Sequence, residues 1–303
     1  MRGRENALNK NKRLILLAVR IFVIVIVSVI LLGMTAPIYF VITRSFSSAE
    51  DMLPTALFPG SPVGEHFAEL FNGAGSTGLP YSRSFFASLV ITLITALLQV
   101  AVVCPMAYVL AKVKAPGITV MNRVIEWSLL LTPLTLYVPQ YFLMLKLGIS
   151  NSLFAEILPF VASPLMVYLV KRYMSVIPDE VIYSARLNGA SHFGIFFCIV
   201  LPGIKPAIAA VVGLSLINAW GATGELFVYS AELKPIAAIM PLFAASEEKM
   251  GLFCAAAVVV AVPIIVLGTV FSKEIAKTAA LAGIKQSSYC KKIKVNKAET
   301  EKQ

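Results

Sequence analysis

Between Ser184 and Pro206 the chain reads SARLNGASHFGIFFCIVLPGIKP, gathering Arg186, Asn188, Gly189 and His192 before it turns apolar and breaks at Leu201-Pro202-Gly203. An arginine, an amide and an imidazole could serve a catalyst or a metal, provided the rest of the sequence supplies their partners. It does not. His66 is the other histidine, and neither has a second ligand at metal spacing. Cys104, Cys198, Cys254 and Cys290 stand far apart without a CxxC, which suits small core thiols. There is no GxxxxGK(S/T) phosphate loop, no HExxH, no GxSxG and no pair of catalytic carboxylates. These absences point away from an enzyme and from a metal or cofactor held by this chain. What remains is recognition by a shaped polar element.

That element carries its own start and stop signals. Pro178 suits the first position of a helix, where a missing N–H costs nothing. Asp179 and Glu180 then place negative charge at the positive end of the helix dipole, and Arg186 balances the other end. Asn188-Gly189 is a stop, because Gly189 can take the left-handed conformation. Ser191 can cap a second short helix through Val200, which Pro202 and Pro206 end and re-aim. The expectation is helix, glycine turn, helix. Spacing alone leaves open whether this is an amphipathic connector or a docking element.

The frame around it is greasy. Of 303 residues 58% are hydrophobic and 14% charged, and the mean hydropathy is +0.83, far from a soluble mixture. Apolar blocks of bilayer length predict an all-α polytopic membrane protein with six transmembrane helices. The expected spans are Leu14–Ile42, Phe85–Leu110, Ile125–Leu145, Phe154–Val170, Pro206–Trp220 and Leu252–Phe271. Pro133 and Pro139 interrupt the third, and Pro159 and Pro164 the fourth. The first run is too long for a signal-peptide core, so it reads as a retained span. Residues 1–13 form an N-terminal tail, 14–276 the six-span domain with a loop at 175–205, and 277–303 a basic tail.

Twenty of the 26 Lys and Arg lie in the N-terminal tail, in the stretch from Lys273 onward and in the loops Lys112–Arg123 and Lys171–Lys205. By the positive-inside rule both termini and the polar element face the cytoplasm, and the loop Ser45–Ser82 is external. The same rule accounts for the net charge of +10 without nucleic acid as a partner. No internal repeat suggests inverted halves.

The polar element resembles the EAA–G–I-LP loop signature of inner-membrane permeases of binding-protein-dependent ABC importers. Ala185-Arg186-Leu187-Asn188-Gly189-Ala190-Ser191 matches its middle, and Ile199-Val200-Leu201-Pro202 its end. Val138-Pro139-Gln140, Lys146 to Leu153, Ile157-Leu158-Pro159, Ile177-Pro178-Asp179-Glu180 and Leu281 to Lys285 resemble the carbohydrate branch, specifically the second maltose-type permease. The family's leading Glu-Ala reads Tyr183-Ser184 here, its Asp before the glycine is Asn188, and its Trp-Asn pair is Trp220-Gly221.

The resemblance implies a type I ABC importer permease fold in a bacterial inner membrane. It implies a second permease subunit completing a heterodimer, two ATP-binding subunits carrying ATP and magnesium, an external solute-binding protein and a sugar substrate. The 177–202 loop would couple to the ATPase through Glu180, Tyr183, Ala185, Arg186, Asn188, Gly189, Ala190, Ser191, Leu201 and Pro202.

Polar residues inside spans are costly unless they face protein or water. Thr132, Thr135, Tyr137 and Gln140 on the third span, with Ser215, Asn218 and Trp220 on the fifth, are candidates for a sugar path or for helix–helix hydrogen bonding. Glu126 and Glu225 lie near span ends. A phosphate ester such as glycerol phosphate would call for a basic side chain inside the third or fifth span, and none is present there. An ion-driven secondary transporter would need carboxylates or broken-helix ion sites at mid-span, and the sequence reading finds none.

Overall fold

A computed structural model of the chain describes residues 2–47, 64–72, 81–222, 227–230, 233–243 and 249–300. They are helical with short connections, and among them there is no strand. Most of the expected external loop, together with Glu225 and the last three residues, lies outside the described residues. Four stretches are long and apolar enough to cross a membrane: Val19–Ser45, Tyr81–Lys112, Leu153–Met174 and Met250–Ala280. A fifth is the pair His192–Gly203 and Lys205–Trp220, bent by 77° at its break. They correspond to the first, second, fourth, sixth and fifth expected spans.

The third expected span is two helices, α4 (Ile118–Ser128) and α5 (Pro133–Leu147), after α1 (Arg2–Ser45), α2 (Glu65–Asn72) and α3 (Tyr81–Lys112). Thr132, which precedes Pro133, is extended with ψ 140°. The proline ring crowds the residue before it and pushes it out of the α region. Pro164 acts likewise. Ser163 is extended, with ψ 117°, and separates α6 (Leu153–Val161) from α7 (Pro164–Met174).

The tail boundaries drawn from charge are not helix ends. α1 starts at Arg2, and α13 (Met250–Thr300), which follows α12 (Ile236–Phe243), runs through position 277. Lysine and alanine sustain a helix as readily as the apolar run before them.

The chain divides into two compact units. One comprises residues 1–70 and 243–258, the other 71–242 and 259–303. In the first, α1 presents Phe22, Leu31, Leu32 and Met34 outward, each more than half exposed, as a lipid-facing helix would. His66 lies 2.9 Å from the Ser47 carbonyl, Phe46 stacks on Phe67 at 5.2 Å, and Gly251 leaves room for the His66 ring.

The second unit is built around α3. One face carries Ser84, Ser88, Thr92, Thr95 and Gln99, all buried, while Phe86, Leu93 and Leu97 point away and are exposed. This is the membrane pattern, with small and polar groups between helices and large apolar ones toward lipid. α11 (Lys205–Trp220) offers Ala207, Ala210, Gly213, Ser215 and Ala219 as buried residues. A Cβ at Gly213 would sit 2.5 Å from Phe271 Cβ, so only glycine permits that approach of α11 to α13.

Gln99 joins three helices. Its Nε2 donates to the Phe160 carbonyl of α6, and its Oε1 accepts from the Ser215 hydroxyl of α11. Phe160 needs that donor, because Pro164 four residues on has no N–H to give.

Toward the Lys112 end, Val103, Ala107 and Leu110 pack with Met166, Val170 and Met174 of α7, and with Ala207 and Val211 of α11. Into this core project Ile182 of α8 (Asp179–Leu187) and Ile195 of α9 (His192–Ile195). A π turn (Phe196–Val200) and α10 (Leu201–Gly203) follow, with Val200 fully buried. Pro202 does not end this segment, contrary to the sequence expectation. The π turn shifts the hydrogen-bond register ahead of it, and the bend comes at Ile204 (φ −108°, ψ 18°). Pro206 stands in the first turn of α11, where its missing N–H is harmless.

Candidate functional site

α8 begins at Asp179. Pro178 is its N-cap rather than its first residue: φ −62° fits either position, but ψ 139° is extended. Asp179 and Glu180 occupy the first turn and Arg186 the last, as the dipole favours. At the far end Gly189 takes φ 83°. Its N–H donates to Arg186 O at 2.9 Å, and the Ala190 N–H donates to Ala185 O at 3.0 Å. Those two bonds form a complete Schellman motif, so the helix stops at a fixed place. The Ser191 hydroxyl then accepts from the Gly194 N–H at 3.1 Å and caps α9, as expected.

What orients α8 is a residue the sequence reading passed over. Lys112, the last residue of α3, has a side chain only 4% exposed. Its ammonium donates to the Ile177 carbonyl and to Asp179 Oδ1, both at 2.6 Å. Ile182, one turn into α8, is buried against the same core. One charged staple and one apolar anchor thus fix both the position and the rotation of the helix.

The remaining residues divide by exposure. Ala185 and Leu201 pack on the core, whereas Glu180, Tyr183, Arg186, Asn188, Gly189, Ala190, Ser191 and Pro202 face outward. Beside them stand two apolar side chains absent from the expected set, Leu187 at 89% exposure and Phe193 at 78%. Arg186 Nη2 lies 3.4 Å from both ring nitrogens of His192. Lys114 lies 5.8 Å from the Tyr183 ring centroid, within cation–π range. The neighbouring Tyr183 hydroxyl holds its ammonium above the ordinary value.

The path candidates fall into two groups. On α5, Thr135 donates to the Thr132 carbonyl at 2.6 Å and its hydroxyl meets that of Thr132 at 3.1 Å. Tyr137 is 6.1 Å from the Phe227 ring, and Gln140 is half-buried. On α11, Ser215 is engaged with Gln99 and donates to Val211 O at 2.6 Å. Trp220 is buried, with its indole N–H on Val260 O at 3.0 Å and Phe85 edge-on at 5.4 Å, while Asn218 is exposed. Among the described residues no hydrogen bond or ring contact joins the two groups. Ser215 and Trp220 therefore bond neighbouring helices, while Thr135, Tyr137 and Asn218 are exposed.

Glu156 is a buried carboxylate near the start of the fourth span, away from the mid-span position where none was expected. It sits in the first turn of α6, 2% exposed, and its Oε1 has no hydrogen-bond partner. The buried hydroxyls of Thr92 and Thr95 on α3 are likewise unpartnered. The residue was visible inside Phe154–Val170. Its burial was not, because α6 turns that face toward protein.

No protein-family model matches the chain. The arabinooligosaccharides transport system permease protein AraQ of Bacillus subtilis is 31% identical over 189 residues, 61% of this chain and 66% of AraQ. The galactooligosaccharides transport system permease protein GanQ of the same organism is 30% identical over 268 residues, 82% of this chain and 89% of GanQ. In fold, the chain matches a bacterial ABC transporter involved in import of the acidic polysaccharide alginate, with TM-score 0.73 at 20% identity. The match covers 84% of this chain and 96% of that one. With a helical membrane frame, a stapled and capped surface helix and this similarity along most of its length, the chain belongs to the family of ABC-importer permease subunits.

Proposed function

We propose that this permease carries a sugar or oligosaccharide into the cell as one half of a heterodimeric pathway. A second permease subunit, two ATP-binding subunits and an external solute-binding protein complete the machine, with ATP and magnesium on the ATP-binding partners. The chain crosses the membrane six times, with α4 and α5 making the third crossing, and both termini are cytoplasmic. α8 docks on an ATP-binding subunit and transmits its closure to the bundle.

One observation carries this reading: α8 is fixed at both ends, as a lever would have to be. It is stapled by Lys112, anchored by Ile182 and stopped by Gly189, while its outer face stays exposed. A docking element that must transmit motion needs such fixed ends. The named cargoes of AraQ and GanQ favour an oligosaccharide. Tyr137 and Asn218 suit one, since a ring can stack on the C–H face of a sugar while an amide bonds its hydroxyls. Phosphate esters are less suited, because α5 before Lys146 and α11 after Lys205 carry no basic side chain.

The experiment is co-purification with the ATP-binding subunits of the same transport system, comparing wild type with Gly189→Val. No atom lies within 4 Å of a Cβ built at Gly189, so the variant acts through its positive φ alone, at about 1–2 kcal/mol or more for a β-branched residue. Association and substrate-stimulated ATP hydrolysis should both fall. If both survive unchanged, the lever role is wrong. Uptake of labelled oligosaccharides by the reconstituted complex then identifies the cargo.

A further inference from the structure

Tyr183 stands where the family pattern has an acid, and its surroundings indicate what replaced the acid. A cleft of about 160 Å³ opens between the end of α3 and α8. It is lined by Lys112, Lys114, Asp179, Tyr183, Arg186 and His192. The Lys112 charge is already matched by Asp179. That leaves Lys114 and Arg186, both exposed, with the Tyr183 hydroxyl and the His192 ring beside them. A glutamate at 183 would have met Lys114 from within the chain. Tyrosine meets it with a ring face and a hydroxyl, and the Lys114 ammonium, its pKa raised by that hydroxyl and by the nearby Asp179 carboxylate, stays exposed to an incoming acid.

We propose that this cleft is an acceptor for a carboxylate side chain of the ATP-binding subunit, received between Lys114 and Arg186. The inference rests on the docking role proposed above for α8. Leu187 and Phe193, the most exposed apolar side chains of the loop, flank the cleft residues in sequence and dock on apolar surface around the bound acid. A desolvated charge pair ringed by apolar contacts is the arrangement that gives specificity at an interface. The His192 ring nitrogens stand 3.4 Å from the Arg186 guanidinium at the edge of the cleft. With cations on this side of the contact, this permease should reject an ATP-binding subunit that presents a cation here.

The test is zero-length carbodiimide cross-linking of the complete complex in detergent, which couples an amine only to a carboxylate in direct contact. Mass spectrometry should find Lys114 joined to an Asp or Glu of the ATP-binding subunit, and Lys114→Gln should lose that adduct alone. Arg186→Glu should weaken association about tenfold or more, and Arg186→Lys should restore most of it. Raising salt from about 50 to about 500 mM should weaken the wild type but not the Lys114→Glu/Arg186→Glu double variant. Gly189→Val separates the two levels. If it abolishes association while no Lys114 adduct forms and Arg186→Glu is neutral, the acceptor is refuted and the lever stands. If Gly189→Val is neutral too, the docking reading falls with it. Size-exclusion profiles of every variant exclude misfolding as the cause.

Discussion

Lys112→Met is the sharpest probe of how α8 is held. Methionine keeps the apolar stem and volume but removes the ammonium and its two hydrogen bonds. These are not equal. The Asp179 side chain is 60% exposed, so water screens that half, which is worth under about 1 kcal/mol. The Ile177 carbonyl receives a charged donor that is itself buried, a bond worth about 1.5–3 kcal/mol. Together they predict a loss of about 2–3 kcal/mol in the local stability of α8, or about 30- to 150-fold more frequent opening. Asp179→Asn removes only the screened half and should raise opening by about fivefold or less. Hydrogen–deuterium exchange of the 180–187 amides in micelles measures both. Protection of Lys112→Met within about twofold of wild type, or an Asp179→Asn effect equal to it, would refute the reasoning.

Two further outcomes concern the bundle. Gln99→Leu leaves the Phe160 carbonyl without a donor and should cost about 1–3 kcal/mol, whereas Ser215→Ala should cost about 1 kcal/mol or less. Because they share one hydrogen bond, the double variant should be less destabilised than the sum, as read by denaturant titration in detergent. Gly213→Ala places a methyl 2.5 Å from Phe271 Cβ and should lower the melting temperature, while Gly268→Ala, with open space around its Cβ, should not.

The elements could be read where their signals are local. Gly189 in the left-handed region, the Ser191 cap and the apolar runs all follow from residue type and spacing. Two expectations slipped by one position or one element. Pro178 caps α8 instead of opening it, because proline fixes φ but not ψ. The third span splits, because Pro133 forbids helix at Thr132 whatever the hydropathy around it. Polar residues were harder to place. Ser215 and Trp220 read as candidates for a path or for helix–helix hydrogen bonding, and they bond Gln99 and Val260, while Glu156 passed unremarked in an apolar run. Hydropathy says that a residue enters the membrane and is silent on which neighbour it faces there.

Sequence alone therefore determined that this chain is a helical membrane protein with a capped polar helix, since composition, caps and breakers act within a few residues of themselves; the permease reading rested on the motif's resemblance to a family. Only the tertiary structure decided what holds that helix and which charged side chains stand beside it. Lys112 lies 67 residues from Asp179, and Lys114 reaches Tyr183 only because α3 and α8 end together. A charge finds its partner in space, and chain order carries no record of that distance.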